Sequence, residues 1–357
     1  MPESKPKQPL LKQHLVLMRP GFEEALRDEF AARFKAVGEV TCRAGVAFKE
    51  AIKLPPVAET VFARQILPRA MRFAGADDAA AAKFVIDRIE VMTKRGNRQA
   101  GSWTMHGFAI DDDDGLARAT RIKKLVMAHV RDKQKDLMKR YLSAEEFAAG
   151  VRSPGDLLLQ IYVPSTDDLW FSIGTVGDGV SVWEAGFQRM KTLRGAPSRS
   201  ASKLEEALAY LGKHPEPGDK AVDLGAAPGG WSLVLARHGA DVQAVDHAKL
   251  DIKDAGTLKG AVVHVKDNGL KFMPAETVDW MVCDMVMGAR DTLSVLKAWF
   301  DKDAMSHFVV NIKLPKSNPW PQVAEALSLI EGFGWGRVQA RHLLHDRSEV
   351  TLMGRKS

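Results

Sequence analysis

The segment AVDLGAAPGGWSLVLARHGADVQAVD, residues 221–246, constrains this chain more than any other. It reads as a strand ending in Asp223-Leu224-Gly225, a loop from Ala226 to Gly230, a helix starting near Trp231, and a second strand ending in Asp246. Gly225, Gly229 and Gly230 let the backbone turn sharply and approach a ligand with no Cβ in the way. The same texture continues downstream. Candidate strands lie at 220–225, 241–246, 261–266, 278–284 and 306–313, with a final pair at 336–343 and 349–354. Helical segments separate most of them, and the strands read as apolar runs. That pattern predicts a doubly wound α/β sheet covered on both faces, with its ligand crevice at the carboxyl ends of the strands.

The loop departs from the dinucleotide pattern G-x-G-x-x-G, because counting from Gly225 the second glycine is replaced by Ala227 and Pro228 follows it. A pyrophosphate wants several free N–H groups at a helix N-terminus, and Pro228 removes one. The loop therefore suits a nucleoside ligand without phosphate, such as S-adenosylmethionine. Asp246 stands where a carboxylate accepts from both ribose hydroxyls. Asp267 ends the third strand, where it could accept from an adenine amino group. The bland alternatives are an ordinary glycine-rich loop, and an aspartate that merely precedes the Asn268-Gly269 turn.

Four ionisable residues fall at the edge where such a site forms. Lys203 begins a helix just before the sheet, Asp284 and Lys313 end strands, and Glu349 opens the last strand. A ribose 2′-hydroxyl is a poor nucleophile until it loses its proton. A lysine can take that proton when desolvation or a second cation lowers its pKa. Lys203 could be that second cation, with Asp284 and Glu349 orienting the amines. A sulfonium methyl carries its own electrophilicity, so this chemistry needs no metal. Taken singly, Lys313 could be a strand-end lysine with its head in water, Glu349 a solvent-facing hairpin residue, and Lys203 half of an exposed pair with Glu206.

The N-terminal half is α+β. Strands are expected at 14–18, 39–48 and 60–67, with a helix over 22–34 that places Leu26, Phe30 and Phe34 on one face. A second unit is expected from about residue 75. It has a helix at 79–94, a strand at 102–110, a long helix over 115–141 after the acidic run 111–114, and strands at 155–163, 169–176 and 180–185. On the long helix, Leu116, Ala119, Ile122, Val126, Val130 and Leu137 form the apolar stripe. Arg118, Arg121, Lys124, Arg131, Lys135 and Lys139 lie off it. That is either a solvated face or a track for phosphates. Residues 186–198 read as a basic linker in which Arg189, Lys191, Arg194 and Arg199 could hold phosphates beside the site.

Composition narrows the setting. At 357 residues the chain is long enough for two or three domains, and a net charge of +6 favours an anionic partner. Cys42 and Cys283 lie too far apart for a disulfide framework or a zinc site. No stretch approaches a membrane span, the start lacks the apolar core of a signal peptide, and residues 1–10 read as a loose tail. The expectation is a cytoplasmic protein with no obligate protein partner.

The segments SRSASKLEEA, DLGAAPGGWS, VDWMVCDMV, NIKLPK and HDRSEVT resemble those of the FtsJ-like 2′-O-methyltransferases with a Lys-Asp-Lys-Glu tetrad, and among them the THUMP-containing RlmM family of bacterial 23S rRNA methyltransferases. The motif match covers about 195–355, and RPGFE and GSWTMHGF extend the likeness toward the N-terminus. The resemblance implies a ferredoxin-like domain over 11–75, a THUMP-like RNA-binding domain over 76–186 and a Rossmann-like methyltransferase domain over 187–357. It implies S-adenosylmethionine-dependent methylation of a cytidine ribose in the peptidyl-transferase region of 23S rRNA or its precursor. By motif position Lys313 becomes the proton acceptor, with Lys203, Asp284 and Glu349 completing the catalytic set. Cofactor contacts would fall at Ser200, Gly225, Ala227, Pro228, Gly229, Gly230, Asp246, Asp267 and Asp284. Ala227 departs from the cysteine of some members, and a small residue keeps the loop. The rival readings are methylation of another rRNA or tRNA position, an inactive RNA-binding protein, and, disfavoured by Pro228, a nucleotide-dependent dehydrogenase.

Overall fold

Each half of the chain is organised around its own seven-stranded sheet. A computed structural model describes residues 12–94, 101–188, 197–253 and 258–356. The expected tail at 1–10 and the linker residues Arg189, Lys191 and Arg194 lie outside the described residues. Two compact units result, one through Phe187 and one from Gln188. Among the described residues, no helix is long and apolar enough to cross a membrane.

In the first unit the strands are β1 (Gln13–Leu17), β2 (Glu39–Cys42), β3 (Gly45–Lys49), β4 (Gln65–Ala74), β5 (Trp103–Phe108), β6 (Leu157–Ser165) and β7 (Asp168–Thr175), in the order β2-β3-β1-β4-β7-β6-β5. β4 pairs with β1 through its first half and with β7 through its second, so one strand runs up to the boundary expected at residue 75. The two expected N-terminal parts share a sheet and form one compact unit.

Three strands expected from the sequence are revised, each because a side chain claims the backbone. The single strand at 39–48 is a hairpin: Ala44 turns it with φ 58°, and Glu23 of helix α1 (Glu23–Phe34) accepts from the Ala44 N–H at 2.9 Å. Residues 60–64 are not strand, because the N–H groups of Val61 and Phe62 donate to the buried Glu29 carboxylate at 2.7 and 3.1 Å. Residues 180–185 are not strand either. There the Gln65 amide bonds the backbone of Ser181 and Trp183, and Ala185 and Gly186 take positive φ.

Helices α2 (Asp78–Lys94) and α3 (Asp113–Lys133) cover one face of this sheet. Asp112 caps α3 by accepting from the Gly115 N–H, satisfying an otherwise orphaned donor. The long helix ends at Gln134, whose φ of −124° is not helical, and a short α4 (Lys135–Met138) follows. Ala119, Ile122, Val126, Val130 and Leu137 enter the core as expected, but Leu116 is exposed. Arg118, expected on the polar face, is buried. It donates to Asp78 Oδ1 at 3.1 Å and to the Gly75 carbonyl at 2.5 Å. Lys124, Arg131 and Lys135 are exposed. After a capped helix α5 (Ala144–Ala149) the chain enters β6.

The second unit starts with α6 (Ala201–Leu211) and contains β8 (Lys220–Leu224), α7 (Gly230–His238), β9 (Asp241–Val245), β10 (Val262–Val265), β11 (Val278–Cys283), α8 (Ala289–Asp301), β12 (Met305–Lys313), α9 (Trp320–Glu331), β13 (Arg337–Arg341) and β14 (Glu349–Arg355). The strand order is β10-β9-β8-β11-β12-β14-β13. The first five strands run parallel, and β14 enters antiparallel between β12 and β13. Parallel strands need covered faces, and the apolar runs of β8, β9, β11 and β12 provide them, with Val222, Ala244, Val282 and Val309 fully buried. This is the Rossmann-like sheet read from the sequence. The reversal of strand order at β8 and β11 places the crevice beside the loop after β8.

Candidate active site

The loop after β8 is shaped by what it must pass. Gly225 has φ +74°, and a Cβ there would collide with Met285. A Cβ at Gly230 would collide with Ser198 Oγ. The peptide Ala227-Pro228 is cis. Asp246, following β9, holds the loop in place: Oδ2 accepts from the Ala227 N–H at 3.0 Å and Oδ1 from the Ala248 N–H at 2.8 Å. Each oxygen keeps a lone pair, so Asp246 can still accept from a ligand hydroxyl.

A cavity of about 380 Å³ opens at this edge. Gly225, Ala227, Asp246, Asp267 and Asp284 line it, so the sequence reading found one continuous wall. Ser200, Pro228, Gly229 and Gly230 are not in that wall. The Pro228 carbonyl accepts from Asp251 N–H, Gly229 faces Ile252, and Ser200 bonds Ser198 Oγ and, through its carbonyl, Trp231 Nε1. These residues shape the loop and fix the start of α6. The lining also includes Leu270, Met285, Val286 and Met287, which were unforeseen from the sequence. Asp223, which opens the Asp-Leu-Gly motif, is fully buried and accepts from Ser232 Oγ at 2.6 Å. Burial pushes its carboxyl up to about 7, a structural role.

An acidic rim, a volume suited to a small nucleoside ligand and a backbone that excludes Cβ atoms all fit S-adenosylmethionine. Asp246 would meet the ribose hydroxyls and Asp267 the adenine edge.

The four ionisable residues converge. β12 and β14 place Lys313 directly opposite Glu349 in antiparallel register. Lys313 Nζ donates to Glu349 Oε2 at 3.3 Å, and Lys203, from α6, donates to Oε1 at 2.5 Å. One carboxylate thus holds both amines. The bland readings fail for two of the three: Lys203 and Glu206 are buried rather than an exposed pair, and Glu349 is 5% exposed. Lys313 keeps its side chain 43% exposed while its head reaches the glutamate. Asp284 lines the cavity and accepts from Asn311 Nδ2 at 2.7 Å, linking cavity to cluster.

Electrostatics separates the roles. Burial alone would depress Lys203, but the carboxylates around it, Asp284 and Glu349 among them, outweigh it and raise its pKa, so Lys203 stays charged. Burial would raise Glu349, but Lys203 and Lys313 outweigh it and hold the carboxyl down near 2. Burial raises Asp284 despite Lys203 and Asn311. The result is a permanent Lys203–Glu349 ion pair with a second, half-exposed amine on the same carboxylate. Such a cluster can orient an amine against an approaching hydroxyl. Asn311, Thr351 and Asp346 pack behind it and were not singled out from the sequence, where a buried asparagine and threonine in a strand look like any others.

Residues 196–314 match the model of the FtsJ-like methyltransferase family. Over most of its length the chain is similar to ribosomal RNA large subunit methyltransferase M of Azoarcus sp. (strain BH72), 30% identical over 361 residues and 94% of each chain. The same-named protein of Thauera aminoaromatica is 31% identical over 93% of each chain. That of Alkalilimnicola ehrlichii is 38% identical over 205 residues, a match spanning 52% of this chain and 55% of that relative.

Proposed function

Because this chain belongs to the ribosomal RNA large subunit methyltransferase M family, we propose that it methylates the 2′-hydroxyl of a cytidine in the peptidyl-transferase region of 23S rRNA or its precursor, using S-adenosylmethionine. The observation that carries this reading is the pair of lysines sharing the two oxygens of Glu349, next to a cavity lined by Asp246, Asp267 and Asp284. When bound, the cofactor supplies an electrophilic sulfonium methyl group. Asp246 would accept from its ribose hydroxyls and Asp267 from its adenine amino group, and Gly225 and Ala227 would let the backbone come close. Lys313, the amine with an open face, would in its neutral form use its lone pair to take the proton from the 2′-oxygen as that oxygen becomes a nucleophile. Lys203 remains protonated and pins Glu349, which in turn aims Lys313. Asp284 stands between cavity and lysines and orients the reacting groups.

The first unit is read as the RNA-capturing part, THUMP-like in role, on the strength of exposed Lys124, Arg131 and Lys135 along α3 and α4. The test is direct. The full chain is incubated with 23S rRNA lacking the modification and methyl-labelled S-adenosylmethionine, and the product is digested and mapped by mass spectrometry. One 2′-O-methylcytidine in the peptidyl-transferase region is expected. Label on a base, or in another RNA, would overturn the assignment.

A further inference from the structure

Behind the Lys203–Glu349–Lys313 cluster runs a second set of buried polar groups that the scheme above does not use. Asp346, in the turn between β13 and β14, is fully buried. Its Oδ1 lies 3.5 Å from Lys203 Nζ. Its Oδ2 accepts from the Leu343 N–H at 2.9 Å and lies 3.1 Å from Thr351 Oγ1. Thr351 Oγ1 is 2.6 Å from Asn311 Oδ1, and Asn311 Nδ2 donates to Asp284 Oδ1 at 2.7 Å. Thr351 and Asn311 are paired in register across β14 and β12. From Lys203 to Asp284, each step passes through an interior where an unmet polar group is costly.

Counting protons gives this chain a direction. Asn311 must present its amide N–H to Asp284, since the reverse would set a carbonyl against a carboxylate. Its carbonyl therefore accepts from Thr351. A threonine hydroxyl has one proton to give, and it is spent there. The contact between Thr351 Oγ1 and Asp346 Oδ2 then needs a proton on Asp346. As a neutral acid, Asp346 donates to Thr351 and turns its Oδ1 toward the Lys203 ammonium. Its surroundings agree: Lys203 and Glu206 of α6 and Glu349 of β14 face it, and burial pushes its carboxyl up to about 8.

We propose that Asp346, Thr351 and Asn311 are positioning residues, a one-directional hydrogen-bond chain that ties Lys203 on α6 to Asp284 on β11 and holds both in place for methyl transfer. The inference rests on the 2′-O-methylation reading. The chain joins two elements that share no ladder bonds in the sheet. It also keeps a third negative charge away from Lys203, leaving that lysine to Glu349.

Thr351→Val removes the hydroxyl at nearly constant volume, and Thr351→Ser restores it. Both are made in the full chain, and folding is checked by circular dichroism and S-adenosylmethionine calorimetry. Three quantities are read: kcat for rRNA methylation, cofactor Kd, and the Lys203 amine titration by NMR of 13C-labelled lysine. In the valine variant Asp346 loses the acceptor of its proton, ionises at lower pH, and places a negative charge beside Lys203. The expected result is a kcat lower by about tenfold or more, a Kd within about twofold, and a Lys203 titration moved to higher pH; the serine variant returns all three toward wild type. A valine variant with unchanged kcat and unchanged Lys203 titration overturns the proposal. So does a serine variant as impaired as valine, which would mean packing alone. If wild type transfers no methyl group to a ribose hydroxyl, the functional reading falls. The Lys203 titration still decides whether the chain exists.

Discussion

Arg118 and Lys203 are both cations on amphipathic helices, and both are buried, yet they end in different kinds of structure. Arg118 donates to Asp78 and to the carbonyls of Gly75 and Asp168, a closed set of backbone and carboxylate acceptors within its own unit. Lys203 donates to Glu349, whose other oxygen holds a second lysine that is 43% exposed, and the neighbouring Asp284 lines a cavity. A buried ion pair is thus architecture when its contacts close on themselves. It becomes a site when its contacts lead to a half-open amine and a ligand-sized space. Burial and charge alone do not distinguish the two.

The largest effect tests the open end of the second cluster. Lys313→Ala should lower the rate of methyl transfer by about 10²–10⁴-fold, the range for loss of a proton-accepting group, with cofactor affinity by calorimetry within about twofold. Lys313→Arg should fail comparably, because guanidinium stays protonated. Near-normal turnover in the arginine variant would reduce this cluster to the status of Arg118.

Removing Arg118 should break the comparison from the other side. Arg118→Ala leaves Asp78 with Arg121 alone and strips the carbonyls of Gly75 and Asp168 of a donor. Loss of one partner of a fully buried pair costs about 3–5 kcal/mol, and the loss here should be smaller, because Asp78 is 25% exposed and keeps Arg121. Hydrogen exchange should show α2 and α3 losing protection while the second unit keeps its own. Unchanged protection would mean that Arg118 is not structural.

What the sequence showed of each region follows from what periodicity and motif can encode. The strand–loop–helix–strand grammar of 221–246 is local, so Gly225, Ala227, Asp246 and Asp284 were legible before any fold was known. That Lys313 faces Glu349 depends on β14 entering antiparallel beside β12, a register set over 36 residues of separation. The sequence placed both residues at one edge of the sheet, but not the register that sets them directly opposite each other. The first unit was harder. Glu29 and Gln65 replace ladder partners with side-chain amide and carboxylate groups, so apolar stretches that look like strands are not. Arg118 looked like surface because an arginine one step from the apolar stripe usually is. Its partner Asp78 lies 40 residues away, beyond any local pattern.

A middle-sized effect is expected at the cofactor wall. Asp246→Ala removes an acceptor for ligand hydroxyls and also frees the N–H groups of Ala227 and Ala248. Hydrogen bonds to a charged group contribute about 1.5–3 kcal/mol, so S-adenosylmethionine should bind about 10- to 100-fold more weakly. An unchanged Kd in a folded variant would remove Asp246 from the site. Comparing Asp246→Asn sharpens this: it keeps one acceptor and should fall between the two.

The smallest effect concerns the exposed cations of α3, and here the structure divides residues that the sequence grouped together. Arg121 is already paired with Asp78 at 2.7 Å, whereas Lys124 and Arg131 are exposed farther along the helix. If this face tracks RNA phosphates, every phosphate-neutralising cation removed lowers the slope of log affinity against log salt by about 0.7–0.9. Lys124→Gln with Arg131→Gln should therefore reduce the slope by nearly two such steps and weaken rRNA binding a few-fold at moderate salt, leaving cofactor affinity untouched. Arg121→Gln should change the slope less, because Asp78 already neutralises much of that charge and would be freed to repel phosphate instead. That repulsion weakens binding without removing a full counterion-release step, so affinity and slope should part company in this variant alone. Filter binding across a salt series reads both quantities. A double variant with the wild-type slope would move RNA capture off this helix face, and Arg121 behaving like Lys124 would mean that its bond to Asp78 opens when RNA arrives.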